Sequence, residues 1–314
     1  MVIARTGLAG LKVTRLGFGT LSISPLQNSV SPESGAELLC YAWHKGIRFW
    51  DTAELYENYQ VLRQALQRLP EQPVIATKTY AWTAAQAERS FRLACRQLGV
   101  ESIDIMLLHE QSANTLPGHM DALEWLAEAR KRGWIRATGV STHSVACVRV
   151  AARLPHVDVI HPIYNQEGIG IVDGSAVDMA REIETAHSRG VGIYGMKVLG
   201  GGTLYKQPQQ ALEHAFSRPW LDSVVVGMAT QAEVDYNTAV AAGLEVSQQL
   251  AARVTGRPRR LDVAQWCQGC GKCLPACPQK ALYLGEKGVE VDQRRCILCG
   301  YCSRSCEHMC LKII

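Results

Sequence analysis

The sequence predicts an α/β protein in which eight strand-helix units close into a barrel over residues 1–253, followed by a small α+β domain over residues 254–314. Three observations favour this class. Short apolar runs alternate with amphipathic stretches along most of the chain, as in parallel β-α-β units. Several amphipathic stretches end in a glycine, which commonly terminates a helix. Nine of the twelve cysteines follow Trp266, and they mark a second unit of different composition.

The elements can be placed in order along the chain. After an N-terminal hairpin over Met1–Lys12, eight barrel strands are expected at Arg15–Thr20, Arg48–Thr52, Val74–Lys78, Ile103–His109, Ile135–Thr142, Val159–Asn165, Val191–Lys197 and Ser223–Gly227. The helices expected between them include Glu33–Lys45, Gln60–Leu69, Ala84–Leu98, Met120–Arg132 and Ser175–Ser188. The glycines that would stop four of these helices are Gly46, Gly99, Gly133 and Gly190. Eight such units make a TIM barrel, whose active site lies at the carboxyl ends of the strands.

Composition and charge exclude several classes of function. The formal charge of +4 is modest for 314 residues, and no basic run is concentrated enough to indicate a nucleic-acid partner. No stretch approaches the roughly 20 apolar residues that span a bilayer, and the first residues lack the apolar core of a signal peptide. We therefore expect no membrane association and a cytoplasmic location.

Polar and ionisable side chains stand at the ends of the predicted strands. The run Phe49–Glu57 delivers Asp51 from an apolar strand and carries Tyr56 shortly after it. The next two strands end at Lys78 and His109. Later strand ends offer Ser141, Asn165 and Lys197. Because the carboxyl ends of barrel strands meet at one face, these side chains are expected to share a site.

Five short motifs, in order on successive strands, carry a family resemblance. They are Leu16–Thr20 (LGFGT), Asp51–Tyr56 (DTAELY), Ala76–Lys78 (ATK), Leu107–His109 (LLH) and Arg136–Ser141 (RATGVS). In sequence and spacing the segment up to about Ala251 resembles an aldo-keto reductase. That resemblance implies a catalytic tetrad of Asp51, Tyr56, Lys78 and His109.

The tetrad also has a chemical argument of its own. Carbonyl reduction needs hydride at carbon and a proton at oxygen, and a free tyrosine with a pKa of about 10 is a reluctant donor. A lysine ammonium beside Tyr56 is expected to lower that pKa. Lys78 needs a partner at the end of an apolar strand, and Asp51 is the natural one. His109 is expected to orient the substrate oxygen.

The resemblance also implies a nicotinamide site. Ser141, Thr142 and either Asn165 or Gln166 would hold the carboxamide, and Met196 stands where the family often has a stacking tyrosine, unless Met196 is simply core. At the last barrel strand Gly227 and Glu233 replace the lysine and arginine of NADPH-dependent relatives, and Asn237 is kept. Glu233 would repel a 2′-phosphate and accept from a ribose hydroxyl, which favours NADH over NADPH. A chain that binds no nicotinamide is the alternative.

The cysteines form an internal repeat after a polar linker at Val254–Arg260. Two Cys-x-x-Cys-x-x-Cys-x-x-x-Cys runs follow one another, the spacing of bacterial two-cluster ferredoxins, in which the fourth cysteine of each run serves the other cluster. This implies one [4Fe-4S] cluster on Cys267, Cys270, Cys273 and Cys306, and another on Cys296, Cys299, Cys302 and Cys277. Zinc bound by the same cysteines is the alternative. Cys310 is expected to be a packed spare thiol.

Three functions fit a barrel joined to such a ferredoxin-like iron-sulfur domain. The first is hydride transfer between NAD(P)H and a carbonyl or alcohol substrate, with the clusters exchanging electrons with a partner protein or stabilising the tail. The second is a redox enzyme that takes electrons from the clusters into a flavin or substrate, with the tetrad as proton donor. The third is an electron-carrying module without catalysis. Tyr80, Trp82 and Trp134 are candidates to line a substrate pocket, or to pack in the fold.

Overall fold

The computed structural model describes residues 5–27 and 30–314. Its main body is a closed barrel of eight parallel strands in the order β10-β3-β4-β5-β6-β7-β8-β9. These strands are β3 (Leu16–Gly19), β4 (Phe49–Asp51), β5 (Val74–Thr79), β6 (Ile103–Gln111), β7 (Ile135–Thr142), β8 (Val159–Pro162), β9 (Gly192–Gly195) and β10 (Ser223–Gly227). Nine helices accompany the barrel in the described ranges: α1 (Pro32–His44), α2 (Tyr59–Leu66), α3 (Ala84–Leu98), α4 (Met120–Lys131), α5 (Val145–Ala151), α6 (Ala176–Ser188), α7 (Pro208–Phe216), α8 (Gln231–Ala241) and α9 (Gln248–Thr255). The predicted fold class is confirmed.

Local sequence signals explain where the helices begin and end. The side chains of Thr83, before α3, and Ser175, before α6, each accept a hydrogen bond from the third helical amide. Their own backbone amides donate to the side chain of that third residue, which completes a capping box. Gly99 after α3 has a φ of 75°, the left-handed conformation that a glycine adopts at low cost. Gly46, Gly133 and Gly190 also have positive φ. The predicted helix stops therefore coincide with the observed ones.

A hairpin closes the amino-terminal end of the barrel. It consists of β1 (Arg5–Leu8) and β2 (Leu11–Thr14), and both turn residues have positive φ, 48° at Ala9 and 79° at Gly10, as a type I′ turn requires. Leu8, Leu11 and Val13 are buried against the side chains that fill the barrel interior. The first four residues of the hairpin predicted over Met1–Lys12 lie outside the described residues.

The cysteine-rich domain has little secondary structure. It contains β11 (Leu261–Val263), β12 (Leu282–Gly285), β13 (Gly288–Val291), α10 (Tyr301–Arg304) and β14 (Leu311–Ile313). Strand β11 pairs with β14 and β12 pairs with β13, both antiparallel. Its core mixes aliphatic side chains with six cysteines of the repeat. Groups that link these cysteines therefore stabilise the domain itself.

This small domain packs on the carboxyl-terminal face of the barrel. Met309 is fully buried against the barrel loops around Gly170 and Gly201. A Cβ atom at Gly202 would lie 1.9 Å from the carbonyl oxygen of Ile313, so only glycine allows β14 to approach this closely. Arg304 forms an ion pair of 2.6 Å with Glu167 in the loop after β8. The domain thus covers part of the barrel mouth.

Two strands end earlier than their apolar runs predict. The eighth strand of the chain, β8, ends at Pro162 rather than Asn165, and β9 ends at Gly195 rather than Lys197. Beyond them Lys197 has a φ of 57°, which no strand accommodates. Asn165 and Lys197 therefore lie in loops. Within the described residues, none of the helices has the length and apolar character needed to cross a bilayer.

Candidate active site

A buried ion pair forms the floor of the site. Asp51 is the last residue of β4, and Lys78 lies one residue before the end of the adjacent strand β5. The Lys78 Nζ atom donates to Asp51 Oδ2 at 2.7 Å and to the Thr52 carbonyl oxygen at 2.8 Å. The two side chains are only 1% and 5% exposed. An ammonium at this depth requires such a partner, as the sequence predicts.

Tyr56 and His109 lie above this pair. Tyr56 ends a short 3-10 helix, Glu54–Tyr56, and its ring centre is 5.2 Å from Lys78 Nζ. The His109 ring, on β6, meets the Tyr56 ring edge-on with centres 5.8 Å apart. The Nδ1 atom of His109 is buried and has no hydrogen-bond partner among the described residues. The four predicted tetrad side chains are thus brought together.

Burial controls the ionisation of these groups. It raises the pKa of Tyr56 well above its ordinary value, and the charge of Asp51 adds to that rise. It lowers the pKa of His109 well below its ordinary value, helped by Lys78. The sequence predicts that Lys78 lowers the pKa of Tyr56, but the Lys78 ammonium is directed at Asp51 and Thr52 instead. Tyr56 is therefore a protonated phenol and His109 a neutral imidazole at neutral pH.

Two buried residues that the sequence analysis missed support Asp51. The Tyr194 hydroxyl, on β9, donates to Asp51 Oδ1 at 3.1 Å. His161, on β8, stacks on the Tyr194 ring with centres 3.9 Å apart, and its Nε2 atom is 3.7 Å from Asp51 Oδ1. Both are polar residues in short, fully buried strands, a pattern that indicates an inward-facing functional position. Together they fix the orientation of the carboxylate.

A cavity of about 210 Å³ opens from this constellation. Asp51, Tyr56 and His161 line its inner end. The loop after β9 and the residues that follow β10 line its side. Its outer part is lined by residues that are remote in sequence: Arg257, Arg259, Lys312, Ile313 and Ile314. The small domain therefore contributes to the wall of the barrel's cavity.

The eight cysteines of the repeat separate into two groups in space. Cys267, Cys270, Cys273 and Cys306 line one small cavity. Cys277, Cys296, Cys299 and Cys302 line a second one. These are the two crossed sets implied by the spacing. Gly269, Gly271 and Gly300 have positive φ, which turns the chain closely around each cavity.

The two halves of the repeat use the fourth cysteine in the same way. The Ala281 amide donates to Cys277 Sγ at 3.3 Å, and the Cys310 amide donates to Cys306 Sγ at 3.3 Å. Amide donors to ligand sulfurs are the usual outer contacts of an iron-sulfur cluster, so the donor set fits such a group. Cys310 is buried and its thiol lines the first cavity.

Comparison with known families agrees with the barrel geometry. The model of the aldo/keto reductase family matches residues 15–214, which is more than half of the chain. The chain belongs to the aldo-keto reductase family. The model of a 4Fe-4S dicluster domain matches residues 266–310. The chain is thus an aldo-keto reductase barrel with an iron-sulfur domain at its carboxyl-terminal end.

Individual aldo-keto reductases resemble the chain at low identity. L-galactose dehydrogenase of Arabidopsis thaliana is 22% identical over 285 residues, which cover 76% of this chain and 88% of that protein. An aldo-keto reductase of Glycine max is 24% identical over 173 residues, which are 51% of this chain, and the chain spans only 48% of that relative. The solved aldo-keto reductase of Bacillus halodurans has a TM-score of 0.66 at 16% identity, over 81% of this chain and 96% of that one. This last likeness establishes the fold alone.

Three side chains predicted to hold the carboxamide form hydrogen bonds to backbone groups of the aldo-keto reductase barrel instead. Ser141 Oγ accepts from the Glu110 amide at 2.7 Å, and Thr142 Oγ1 donates to the Gln111 carbonyl oxygen at 2.6 Å. The Asn165 side chain donates to the Ile169 carbonyl oxygen and accepts from its amide, both at 2.9 Å. All three side chains are buried, and they shape the loops rather than line the cavity. Gln166 is half-buried and does not line it either.

The other predicted cofactor residues do line the cavity: Met196, Gly227, Glu233 and Asn237. The Glu233 carboxylate, however, is already engaged. It accepts from the Ala229 amide at 2.7 Å and pairs with Arg257 at 3.0 Å. Its charge is therefore compensated, which weakens the expected repulsion of a 2′-phosphate. Four basic residues, Lys197, Arg257, Arg259 and Lys312, also line the cavity, so part of its wall is cationic.

A second, open groove runs beside Tyr56. Tyr80 and Trp82 line it, and both are substantially exposed, at 41% and 57%. Tyr80 also stacks on His109 with ring centres 4.6 Å apart. Trp134 instead packs between Phe91 and Trp125. It precedes β7, so it lies at the opposite end of the barrel, and of the two alternatives for Trp134 the structure shows packing in the fold.

Proposed function

We propose that this aldo-keto reductase transfers hydride between NAD(P)H and a carbonyl or alcohol substrate, with Tyr56 as the proton donor. The observation that carries the proposal is the buried Lys78–Asp51 pair beneath Tyr56 and His109, at the inner end of a cavity. A bound nicotinamide would supply the hydride. Proton transfer and orientation of the substrate oxygen are assigned to residues of this chain.

Proton transfer is assigned to the Tyr56 hydroxyl. Because burial raises its pKa, the phenol keeps its proton until an acceptor oxygen carries developing negative charge. The phenolate that then forms would lie above Lys78, whose Nζ atom is 5.2 Å from the Tyr56 ring centre. Asp51 holds Lys78 in place, and Tyr194 and His161 hold Asp51. In alcohol oxidation the same groups act in reverse.

Substrate orientation is assigned to His109. Burial and Lys78 keep its imidazole neutral, so it has one N–H to donate to the substrate oxygen. Tyr80 stacks on its outer face and limits its rotation. The groove beside Tyr80 and Trp82 offers apolar surface next to this point. It supports a small organic carbonyl or alcohol as the substrate.

Cofactor choice follows from the charges in the cavity. The sequence favours NADH because Glu233 would repel a 2′-phosphate, and this stays a prediction. The ion pair with Arg257, with Arg259 at 3.9 Å from the same carboxylate oxygen, argues in the other direction. Calorimetric titration of both dinucleotides decides the matter: tighter binding of NADH supports the sequence argument, and equal or tighter binding of NADPH overturns it.

The iron-sulfur domain is proposed to exchange single electrons with a partner protein. A cluster cannot trade electrons directly with a nicotinamide without a mediator such as a flavin. The second candidate function, a flavin-assisted enzyme fed by the clusters, has one observation in its favour. Strand β14, which follows Cys306 and Cys310, lines the same cavity as Tyr56. The first cluster site is therefore next to the cavity.

The test uses the full chain purified without oxygen, with every extracted cofactor identified. NAD(P)H consumption with a panel of carbonyls, lost in Tyr56→Phe and kept in Cys267→Ser with Cys296→Ser, supports the first function. Tyr41→Phe is the matched control, because Tyr41 bonds Asp235 on the outer helices. Loss of the cluster absorbance on NADH addition, with a flavin present, supports the second. Activity unaffected by Tyr56→Phe contradicts both functions, because each assigns the proton to Tyr56. The predicted compartment remains the cytoplasm.

A further inference from the structure

Lys312 belongs to the last strand of the iron-sulfur domain, yet its side chain lies in the wall of the barrel's cavity. The residue is only 6% exposed. Its aliphatic stem crosses Gly201, where a Cβ atom would lie 3.8 Å from Lys312 Cγ. It lines the same cavity as Asp51 and Tyr56. A residue outside the barrel thus reaches the barrel's ligand site.

The Lys312 ammonium has no hydrogen bond or ion pair within residues 5–27 and 30–314. Its one specific contact there is the face of the Trp266 ring, with Nζ 4.4 Å from the ring centre. A cation this deeply buried is costly unless an anion compensates it. Burial, with the help of Lys197, lowers its pKa to about 7, and Asp262, Cys310 and Glu110 offset that fall only in part.

The acidic groups around Lys312 raise its pKa but do not pair with it: Asp262 is its cross-strand partner, and neither Asp262 nor Glu110 forms an ion pair with its ammonium. Lys197 lines the same cavity and adds a second positive charge, and its Nζ atom contacts His143 Nε2 at 2.8 Å. Asp262 is half-buried and lies 3.8 Å from Arg260. Glu110 is 41% exposed and accepts a hydrogen bond from Tyr80. Lys312 and Lys197 thus place two ammonium groups in this wall of the cavity, and within the described residues neither is paired directly with a carboxylate.

We propose that Lys312 and Lys197 form an anion-binding subsite that takes a phosphate or carboxylate group of the ligand in this cavity. The iron-sulfur domain then completes the binding site of the barrel, independently of any electron transfer. The inference deepens the proposed function and rests on it only for the identity of the ligand that carries the anion. Phosphate would come from a dinucleotide, and carboxylate from the substrate.

The way β14 is seated makes this subsite rigid. Gly201 and Gly202 allow the strand to lie directly on the loop after β9, and Met309 is buried beneath it. Because the stem of Lys312 is held along this contact, its ammonium loses little further freedom when an anion binds. Charge-assisted hydrogen bonds from such a preorganised donor are among the stronger ones in proteins.

The experiment measures anion binding to the full holoprotein by calorimetry, with inorganic pyrophosphate and malonate as probes. Lys312→Met is expected to weaken binding roughly tenfold to hundredfold, the usual effect of losing one charge-assisted hydrogen bond. Lys312→Gln is the second variant if the methionine variant loses its clusters. Lys312→Arg keeps the charge and is expected to retain most of the affinity. Lys287→Met, an exposed lysine of the same domain, is the matched control and should bind like the wild type.

Each outcome of the binding experiment supports or overturns the proposed anion-binding subsite. Pyrophosphate binding that depends on Lys312 supports a phosphate source, and malonate binding that depends on it supports a carboxylate source. Binding of neither probe, or equal binding by wild type and both neutral variants at unchanged iron content, overturns the inference. Carbonyl-dependent turnover is measured separately. If turnover is absent while Lys312-dependent binding persists, the proposed function fails and the subsite stands.

Discussion

The buried pair of Lys78 and Asp51 makes a quantitative prediction about stability. Lys78→Met keeps most of the side-chain volume, so little cavity forms, but it leaves the Asp51 carboxylate buried with only Tyr194 and His161 nearby. Removing one partner of a buried ion pair costs about 3–5 kcal/mol. We expect a loss of about 3 kcal/mol or more at pH 7.5.

The same variant should have a characteristic pH dependence. Burial already raises the pKa of Asp51, and removal of Lys78 raises it further because Lys78 is the main group that lowers it. The folded state then keeps a proton on Asp51 that the unfolded state has released. The contribution of Asp51 to the free energy of unfolding is therefore fully present below the ordinary pKa of an aspartate. It falls, by up to about 1.4 kcal/mol per pH unit, as pH rises toward the raised pKa.

The assay is urea unfolding of the anaerobic holoprotein, followed by circular dichroism at pH 5.5 and 7.5. Lys45→Met is the matched control, because Lys45 is also 2.7 Å from a carboxylate, that of Asp235, but both side chains are about one-third exposed. It should cost less than about 1 kcal/mol. Adding Asp51→Asn to Lys78→Met removes the orphaned charge and should restore about 2 kcal/mol at pH 7.5. Costs of less than 1 kcal/mol for Lys78→Met at both pH values, or no recovery in the double variant, would refute the reasoning.

Three further predictions follow from the site and the small domain. Tyr56→Phe should lower kcat by about 10²- to 10⁴-fold, the usual contribution of a positioned acid, while the dinucleotide affinity measured by calorimetry stays unchanged. An equal loss of affinity would contradict the role of Tyr56 as proton donor. The double variant Cys277→Ser with Cys296→Ser should keep about four of eight irons, because these two cysteines share one cavity. The double variant Cys277→Ser with Cys267→Ser should lose nearly all the iron, because these two cysteines line different cavities. The opposite pattern in iron analysis would disprove the crossed assignment. Gly202→Ala should increase amide hydrogen exchange in β14, since its Cβ meets a strand carbonyl; unchanged exchange would contradict the packing.

The barrel could be predicted because its signals are local. Ala84–Leu98 was predicted with the observed bounds, since a capping threonine begins the helix and Gly99 ends it. The tetrad residues could be found for a similar reason: Asp51, Lys78 and His109 each end or nearly end an apolar run. Strand ends alone were enough to bring them to one face of the barrel.

The rest depends on contacts between distant parts of the chain. The resemblance implies Asn165 or Gln166 as a carboxamide contact, but the strand ends at Pro162 and the Asn165 amide is used to fold the following loop. The sequence places Arg257 in a linker, and no motif singles out Lys312. Both line the barrel's cavity because the small domain packs on its mouth. Such packing is set by shape complementarity over many residues, for which a single sequence has no periodic signal.

The central claim is that the residues above the Lys78–Asp51 pair reduce a carbonyl with hydride from a nicotinamide and a proton from Tyr56. It is tested most directly with NADH and NADPH deuterated at C4 of the nicotinamide, an aldehyde panel, and mass analysis of the alcohol. The account predicts one deuterium on the former carbonyl carbon from one of the two C4 faces, and almost no labelled product with Tyr56→Phe. An alcohol that gains its new carbon-bound hydrogen from solvent, or a Tyr56→Phe variant that labels its product at the wild-type rate, would contradict it.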